Sequence, residues 1–450
     1  MASLLLGDLN DYIAPSQACV LPVKNDKEKE GKPVTVNLND CLACSGCITS
    51  AETVLVAQQT HSQFYEALEQ KGSRYKRIVV SVSPQTRTAL AVRYRLSAEQ
   101  VHARLLYFFK DILGVDTVID TTFARSLVLE LVATEFLERF REKSLPVLTS
   151  ACPGWICFAE KKQGELLPLI SKVRSPQQAS GVLVKEWMSK GLVKREEIFH
   201  MSIMPCYDKK LEASRDDFSN GDCRDVDCVI TTSELLTILD DKLSKDTAFT
   251  DLSENSERLP LYSHSGSGAG GYLEYTLNRA AKQLYDIDLN DPAVRERHLR
   301  ITLMRNRDHT EYRLISLTGE TVLTFAALYG FRNIQTFVQK RKIGSVSMNY
   351  DFVEVMACPG ACLFGGGQPE ITVVDSDDSR SHKEAYRTEM ERMYASLSAD
   401  WPPSVLAQID LVKKWIDEDP ETRRPLFYTS YRSLLADPSK KKHSAIVVQW

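Results

Sequence analysis

Cys41, Cys44 and Cys47, three cysteines within the seven residues CLACSGC, restrict this chain more than any other feature. Thiolates at that spacing wrap one face of a cubane, because the small residues Ala43, Ser45 and Gly46 let backbone amides approach the sulfurs. A common run of this kind continues with a cysteine at the position held here by Ala51, so the fourth ligand is expected upstream, at Cys19. A zinc site on the same four thiolates is the alternative, although zinc more often uses two separated C-x-x-C knuckles.

The cysteine total, eleven, is odd, and the residues cluster in tight motifs, which argues for metal rather than a disulfide framework. The opening MASLLLGDLNDY has an apolar run of three leucines and an early aspartate, and reads as neither a secretory leader nor a membrane span. A cytoplasmic or nuclear protein is expected, where disulfides are rare. With 43% apolar and 26% charged residues the chain can bury a core. A formal charge of −4 makes no electrostatic case for nucleic acid, and Lys440 to Lys442 read as solvated surface.

From about Tyr75 strand and helix signals alternate. IVVSV, Ile78 to Val82, is a β-branched run of the buried-strand type. Ser97 with Gln100 makes a capping box, opening a helix that carries Val101, Leu105 and Phe109 inward. VDTVID predicts a second strand and FARSLVLELVATEFLERF a second amphipathic helix. This rhythm predicts an α/β fold with parallel sheets flanked by helices. The polar stretch 21–38 reads as a linker. The tail from about Asp375 predicts helices in KEAYRTEMERMYASL and LAQIDLVKKWIDE, interrupted by Trp401-Pro402-Pro403. Three units are expected: an N-terminal iron–sulfur segment at 1–74, an α/β body at 75–374 and a helical tail at 375–450.

Three further strand signals, PVLTSA, IFHMSIMP and DFVEVMA, end on Cys152, Cys206 and Cys358. Ligands of open α/β sheets sit beyond the carboxyl ends of strands, so these three ends can build one site from distant sequence. Cys362 lies four residues past Cys358, which at helical pitch sets both thiols on one face. Gly365, Gly366 and Gly367 admit a close backbone approach to something bulky and inorganic. Four thiols are thus available for a second cluster, with buried structural cysteines as the alternative. Cys157, Cys223 and Cys228 read as core or incidental, Cys223 with Cys228 being a weak metal or redox pair.

The segments SACPGWICFAEK, RSPQQASGVLVKEW, SIMPCYDKKLEASR, VDCVITTSEL and VEVMACPGACLFGGGQP resemble the signature segments of iron-only hydrogenases. With CLACSGCITS and an upstream lone cysteine, the chain most resembles the eukaryotic hydrogenase-like cytosolic iron–sulfur assembly factors, also called the nuclear prelamin A recognition factor-like family. The likeness runs from DLNDYIAP to the final tryptophan. It implies an iron-only hydrogenase-like body of two lobes, with a small N-terminal cluster-binding segment and a tail similar to the hydrogenase small subunit. It implies two 4Fe–4S clusters, one on Cys19, Cys41, Cys44 and Cys47 and one on Cys152, Cys206, Cys358 and Cys362. In hydrogenases the cysteine matching Cys362 also bridges to a two-iron unit.

Hydrogenases carry a proton-passing cysteine just before the CPGW cysteine. Here that residue is Ala151, whose methyl group neither donates nor accepts a proton. Met204, Lys209 and Met356 match retained pocket positions, and a lysine there would also offset thiolate charge. The resemblance therefore implies a non-catalytic component of cytosolic iron–sulfur protein assembly, linking early work on a scaffold to late transfer into cytosolic and nuclear apoproteins. An iron-only hydrogenase or hydrogen sensor is disfavoured by Ala151, and a ferredoxin-like electron carrier would not need the large body.

The chain ends on Trp450. The family is recognised through a C-terminal tripeptide ending in an aromatic residue, and an indole plus a carboxylate make a compact double anchor. The implied partners are the WD40-repeat subunit of the late targeting complex, through the C-terminus, and early scaffold proteins, with no nucleic acid and no membrane. Gln449 stands where the family often has an acidic residue or serine. The alternative reading of IVVQW is a last edge strand tucked into the core.

Overall fold

The computed structural model describes residue 56 and residues 59–434, except 190, 244–246, 255–260, 345–347 and 370–378. Cys19, the CLACSGC set and Trp450 lie outside the described residues, as do the polar stretch 21–38 and the IVVQW end. In chain order the strands are β1 (Arg77–Val82), β2 (Thr117–Asp120), β3 (Val147–Thr149), β4 (Ile198–Met204), β5 (Ser219–Asn220), β6 (Cys223–Arg224), β7 (Cys228–Thr231), β8 (Leu299–Leu303), β9 (His309–Ile315), β10 (Thr321–Tyr329) and β11 (Phe352–Met356).

One lobe is built on a four-stranded sheet, all parallel, in the order β2-β1-β4-β7. Helices cover both faces of such a sheet, and β4 and β7 are buried along their whole length. The capping box is present: Gln100 N–H donates to Ser97 Oγ at 3.2 Å and Ser97 N–H to Gln100 Oε1 at 3.0 Å. Val101, Leu105 and Phe109 join Ile78, Val80 and Ile230 in one core.

The other sheet extends its parallel core with an antiparallel arm. Its order is β3-β11-β10-β9-β8, with β3, β11 and β10 parallel but β10, β9 and β8 antiparallel. Residues 304–308 join β8 to β9 and residues 316–320 join β9 to β10, connections too short for a parallel crossover. Gly319, at φ 88°, takes the left-handed position in the second turn.

The helix Thr122–Arg141 leaves β2 of the first sheet and packs on the second. Its Thr122 N–H donates to Asp120 Oδ1 at 2.8 Å. Further along, Phe136 meets Phe325 edge-on at 5.1 Å and Phe352 at 5.7 Å. Leu127, Val128 and Leu129 are consecutive and all buried, so this helix is enclosed rather than amphipathic. The tail helices close the assembly. Met390 and Tyr394 of Ser379–Tyr394 pack on Ala89 and Leu363. Val412 and Ile416 of Pro403–Asp417 enter the second lobe's core.

Candidate metal centre

Strands from both sheets end at one place. β3 and β11 run side by side and deliver Cys152 and Cys358, while β4 delivers Cys206 from the other sheet. Cys152 stands at the N-cap of the helix Pro153–Lys162. Its N–H donates to Ser150 Oγ at 3.0 Å, and that hydroxyl donates to the Val355 carbonyl at 2.6 Å. The backbone N–H groups of Trp155 and Ala357 aim at the Cys152 sulfur, and that of Gly366 at Cys358.

The spacing of Cys358 and Cys362 is not helical. Gly360 and Ala361 both take left-handed backbone, at φ 71° and 63°, and only a single 3-10 turn, Ala361–Phe364, follows. A Cβ on Gly360 would overlap the Phe364 ring, so the reversal is built for glycine. Cys362 Sγ lies 3.7 Å from Met356 Sδ. The loop is pinned from outside: Asp308 Oδ1 accepts from Gly360 N–H at 2.9 Å and from Arg387 of the tail at 2.8 Å.

Two glycines of the string also serve loop packing. A Cβ on Gly365 would overlap the Pro205 carbonyl oxygen, and one on Gly367 would stand 2.7 Å from Thr231 Cγ2 and 3.0 Å from Cys206 Cα. Gly367 N–H donates to the Pro205 carbonyl at 2.8 Å. Two of the three glycines therefore let one cysteine loop lie against the backbone of another.

Burial raises all four thiols: Cys152 to about 12, Cys206 and Cys358 well above the usual value, and Cys362 above it. Asp208 and the charges of the other three thiols push Cys206 further up. Lys209 and Arg125 pull Cys362 back. Cys152 is buried and the other three are half-buried, and thiolates so grouped would repel one another without a cation among them. An iron–sulfur core fits this donor set. It takes deprotonated thiolates, gives each its own iron, and accepts N–H hydrogen bonds at the ligand sulfurs. Among the described residues no three His, Cys, Asp or Glu side chains converge as tightly as a single ion needs.

Lys209 Nζ is paired with Glu212 Oε2 at 2.8 Å, so its charge is already met, and Gln177 Nε2 donates to the same carboxylate oxygen at 3.0 Å. Ala151 is buried beside Cys152 and brings no titratable group. Cys228 sits in the first lobe's core and donates to the Thr60 carbonyl at 3.7 Å. Cys223 faces Lys185 Nζ at 3.9 Å, so the two thiols engage different partners and form no disulfide. Cys157 is half-buried and lines a cleft of about 180 Å³ between the Pro153–Lys162 helix and Tyr431.

One element near the site has no cysteine to advertise it: the loop 264–271, HSGSGAGG, ahead of the helix Tyr272–Tyr285. Gln85 Nε2 donates to the Gly268 carbonyl at 2.9 Å. The buried carboxylate Glu354 accepts from Leu273 N–H at 2.9 Å, from Ser267 at 3.4 Å and from Tyr329 OH. The glycines ahead of a helical run were the available signal.

The family described as iron only hydrogenase large subunit, C-terminal domain, matches residues 76–366. The Mus musculus protein named cytosolic iron-sulfur assembly component 3 is 40% identical, covering 100% of this chain and 98% of its own. This chain belongs to that hydrogenase-like assembly family. Protein NAR1 of Arabidopsis thaliana is 44% identical over 81% of this chain and 83% of its own. A solved FeFe-hydrogenase from Chlamydomonas reinhardtii has a TM-score of 0.66 at 24% identity, covering 83% of this chain and 99% of its own, a likeness of fold. Among the described residues no helix is long and apolar enough to cross a membrane.

Proposed function

We propose that this protein is a non-catalytic component of cytosolic iron–sulfur protein assembly that carries two 4Fe–4S clusters. One is held by Cys152, Cys206, Cys358 and Cys362, the other by Cys19, Cys41, Cys44 and Cys47. The observation that carries the reading is the convergence of three strand ends from two sheets on four thiols, Cys152 buried and Cys206, Cys358 and Cys362 half-buried, with backbone N–H groups aimed at two of the sulfurs. Relatives alike over the full chain are named as assembly components, which supports the role. Ala151 supports the absence of hydrogen chemistry, since proton transfer needs a side chain there that can carry a proton. A bound cluster supplies one-electron redox capacity and ties distant segments together. The chain's own residues do the rest: thiols hold it, backbone amides set its charge balance, and the tail helix covers the Cys358–Cys362 loop.

In this reading the protein links early scaffold proteins to the late targeting complex, docks that complex through Trp450, and works in the cytoplasm and the nucleus. The test is anaerobic purification with iron and acid-labile sulfide counted per chain and an EPR spectrum of the reduced protein. About eight of each per chain is expected for two cubanes. Zinc in place of iron, or hydrogen turnover by the unmodified chain after exposure to hydrogenase maturation enzymes, would overturn the reading.

A further inference from the structure

Six lysine and arginine side chains are buried among the described residues: Arg87, Arg125, Arg174, Lys185, Lys209 and Lys210. Five meet a carboxylate. Arg87 pairs with Asp120, Arg174 with Asp225 at 2.7 Å, Lys185 with Asp227 at 2.7 Å, Lys209 with Glu212 at 2.8 Å and Lys210 with Glu234 at 2.6 Å. Arg125 is the exception. Its guanidinium donates to two neutral groups, Tyr394 OH at 3.0 Å and Gln85 Oε1 at 3.3 Å, and its Nε has no hydrogen-bond partner. An arginine cannot shed its proton, and a buried charge without a counter-charge is strongly unfavourable.

The surroundings of Arg125 lead to the Cys362 loop. A Cβ on Gly270 would stand 2.9 Å from Arg125 Nε, and one on Gly268 would stand 2.5 Å from Leu363 Cβ, so the glycine loop is wedged between the two. Gln85, held by Arg125, accepts through its backbone carbonyl from Gln368 Nε2 at 3.1 Å. The same amide donates to the Leu363 carbonyl at 3.2 Å. Tyr394, the other partner, packs on Leu363 itself. Leu363 follows Cys362 in the chain.

We infer that Arg125 is the counter-charge of the cluster held by Cys152, Cys206, Cys358 and Cys362, and that it raises that cluster's reduction potential. The inference rests on the reading that these four cysteines hold a cluster. A cluster bearing four thiolates is anionic and gains a further negative charge on reduction, so a nearby fixed cation stabilises the reduced state more than the oxidised one. Lys209 does this less well, because Glu212 already neutralises it.

The experiment is an EPR-monitored redox titration of the full chain, purified anaerobically, for the wild type, Arg125→Gln, Arg125→Lys and Tyr394→Phe. Arg125→Gln should make the buried cluster about tenfold harder to reduce, which for one electron is about 59 mV. Arg125→Lys should recover most of that shift. Tyr394→Phe removes a hydrogen bond and keeps the charge, and should leave the potential in place. The signal of the N-terminal set should not move in any variant.

An unmoved potential in Arg125→Gln overturns the inference, as does an equal shift in Tyr394→Phe, which marks a structural clamp. If Arg125→Gln fails to load, full loading of Arg125→Lys supports the charge role. Failure of both overturns it, because lysine keeps the charge but cannot span Tyr394 and Gln85. Iron content insensitive to Cys358→Ala would instead remove the underlying reading, and this inference with it.

Discussion

Ser150 Oγ donates to the Val355 carbonyl at 2.6 Å and so ties the end of β3 to the end of β11. The same oxygen accepts from Cys152 N–H at 3.0 Å, which couples two cysteine-bearing strands through one hydroxyl. Ser150→Ala should remove both bonds and destabilise the holo chain by about 1–2 kcal/mol. Loss of iron to a chelator should accelerate several-fold. Release at the wild-type rate would mean that the strand pairing alone positions Cys152.

Gly365 lies against the Pro205 carbonyl, a backbone atom that cannot swing aside. Gly365→Ala should therefore displace the Cys206 loop at a cost of about 1–3 kcal/mol. Iron bound at the buried set should fall while the N-terminal set stays loaded. Full loading of both sets would show that the two loops can part without harm.

Metal binding free energy becomes folding free energy where the site does not exist in the unfolded chain. Cys358 closes a site drawn from two sheets, whereas Cys41 lies in a compact local motif. Cys358→Ala should lower soluble yield and melting temperature more than Cys41→Ala. Equal losses would place both sites at the periphery of the fold.

His102 and His200 are buried neutral: burial lowers His102 to about 4 and His200 to about 3. The unfolded chain binds their protons near pH 6.5, so between that value and the folded values it holds more protons than the native state. Stability should be full above about pH 6.5 and fall as the pH drops. Each histidine contributes a loss of about 2 kcal/mol at pH 5. Neither ring nitrogen of His102 has a hydrogen-bond partner, so His102→Leu should tolerate pH 7.5 and outlast the wild type at pH 5. Denaturant midpoints against pH decide this; parallel curves for the two proteins would refute it.

Under the proposed docking role of Trp450, its deletion should weaken binding to the late targeting complex by about thirtyfold, the worth of a buried aromatic anchor near 2 kcal/mol. Extending the chain by a few residues should do nearly the same harm by moving the carboxylate. Pull-downs paired with thermal melts separate this from core packing, in which deletion lowers the melting temperature and an extension is tolerated. Normal partner binding by both variants removes the recognition role.

Local chemistry was readable from residue order alone. A β-branched run marks β1, Ser97 and Gln100 close their capping box, and strand signals ending on Cys152, Cys206 and Cys358 point to one site. Each depends on side chains a few residues apart, whose preferences survive in any fold. The antiparallel arm, β10-β9-β8, follows from short connections within a stretch whose pairing partners lie elsewhere in the sheet. The turn between Cys358 and Cys362 has the spacing of a helix, but left-handed backbone at Gly360 and Ala361 reverses it. Gly365 and Gly367 make room for Pro205 and Cys206, more than 150 residues away, a contact that residue order does not announce. Arg125 carries no motif at all. Only packing places it beside the Cys362 loop without a carboxylate, because charge compensation in a core depends on which distant groups share the same buried volume.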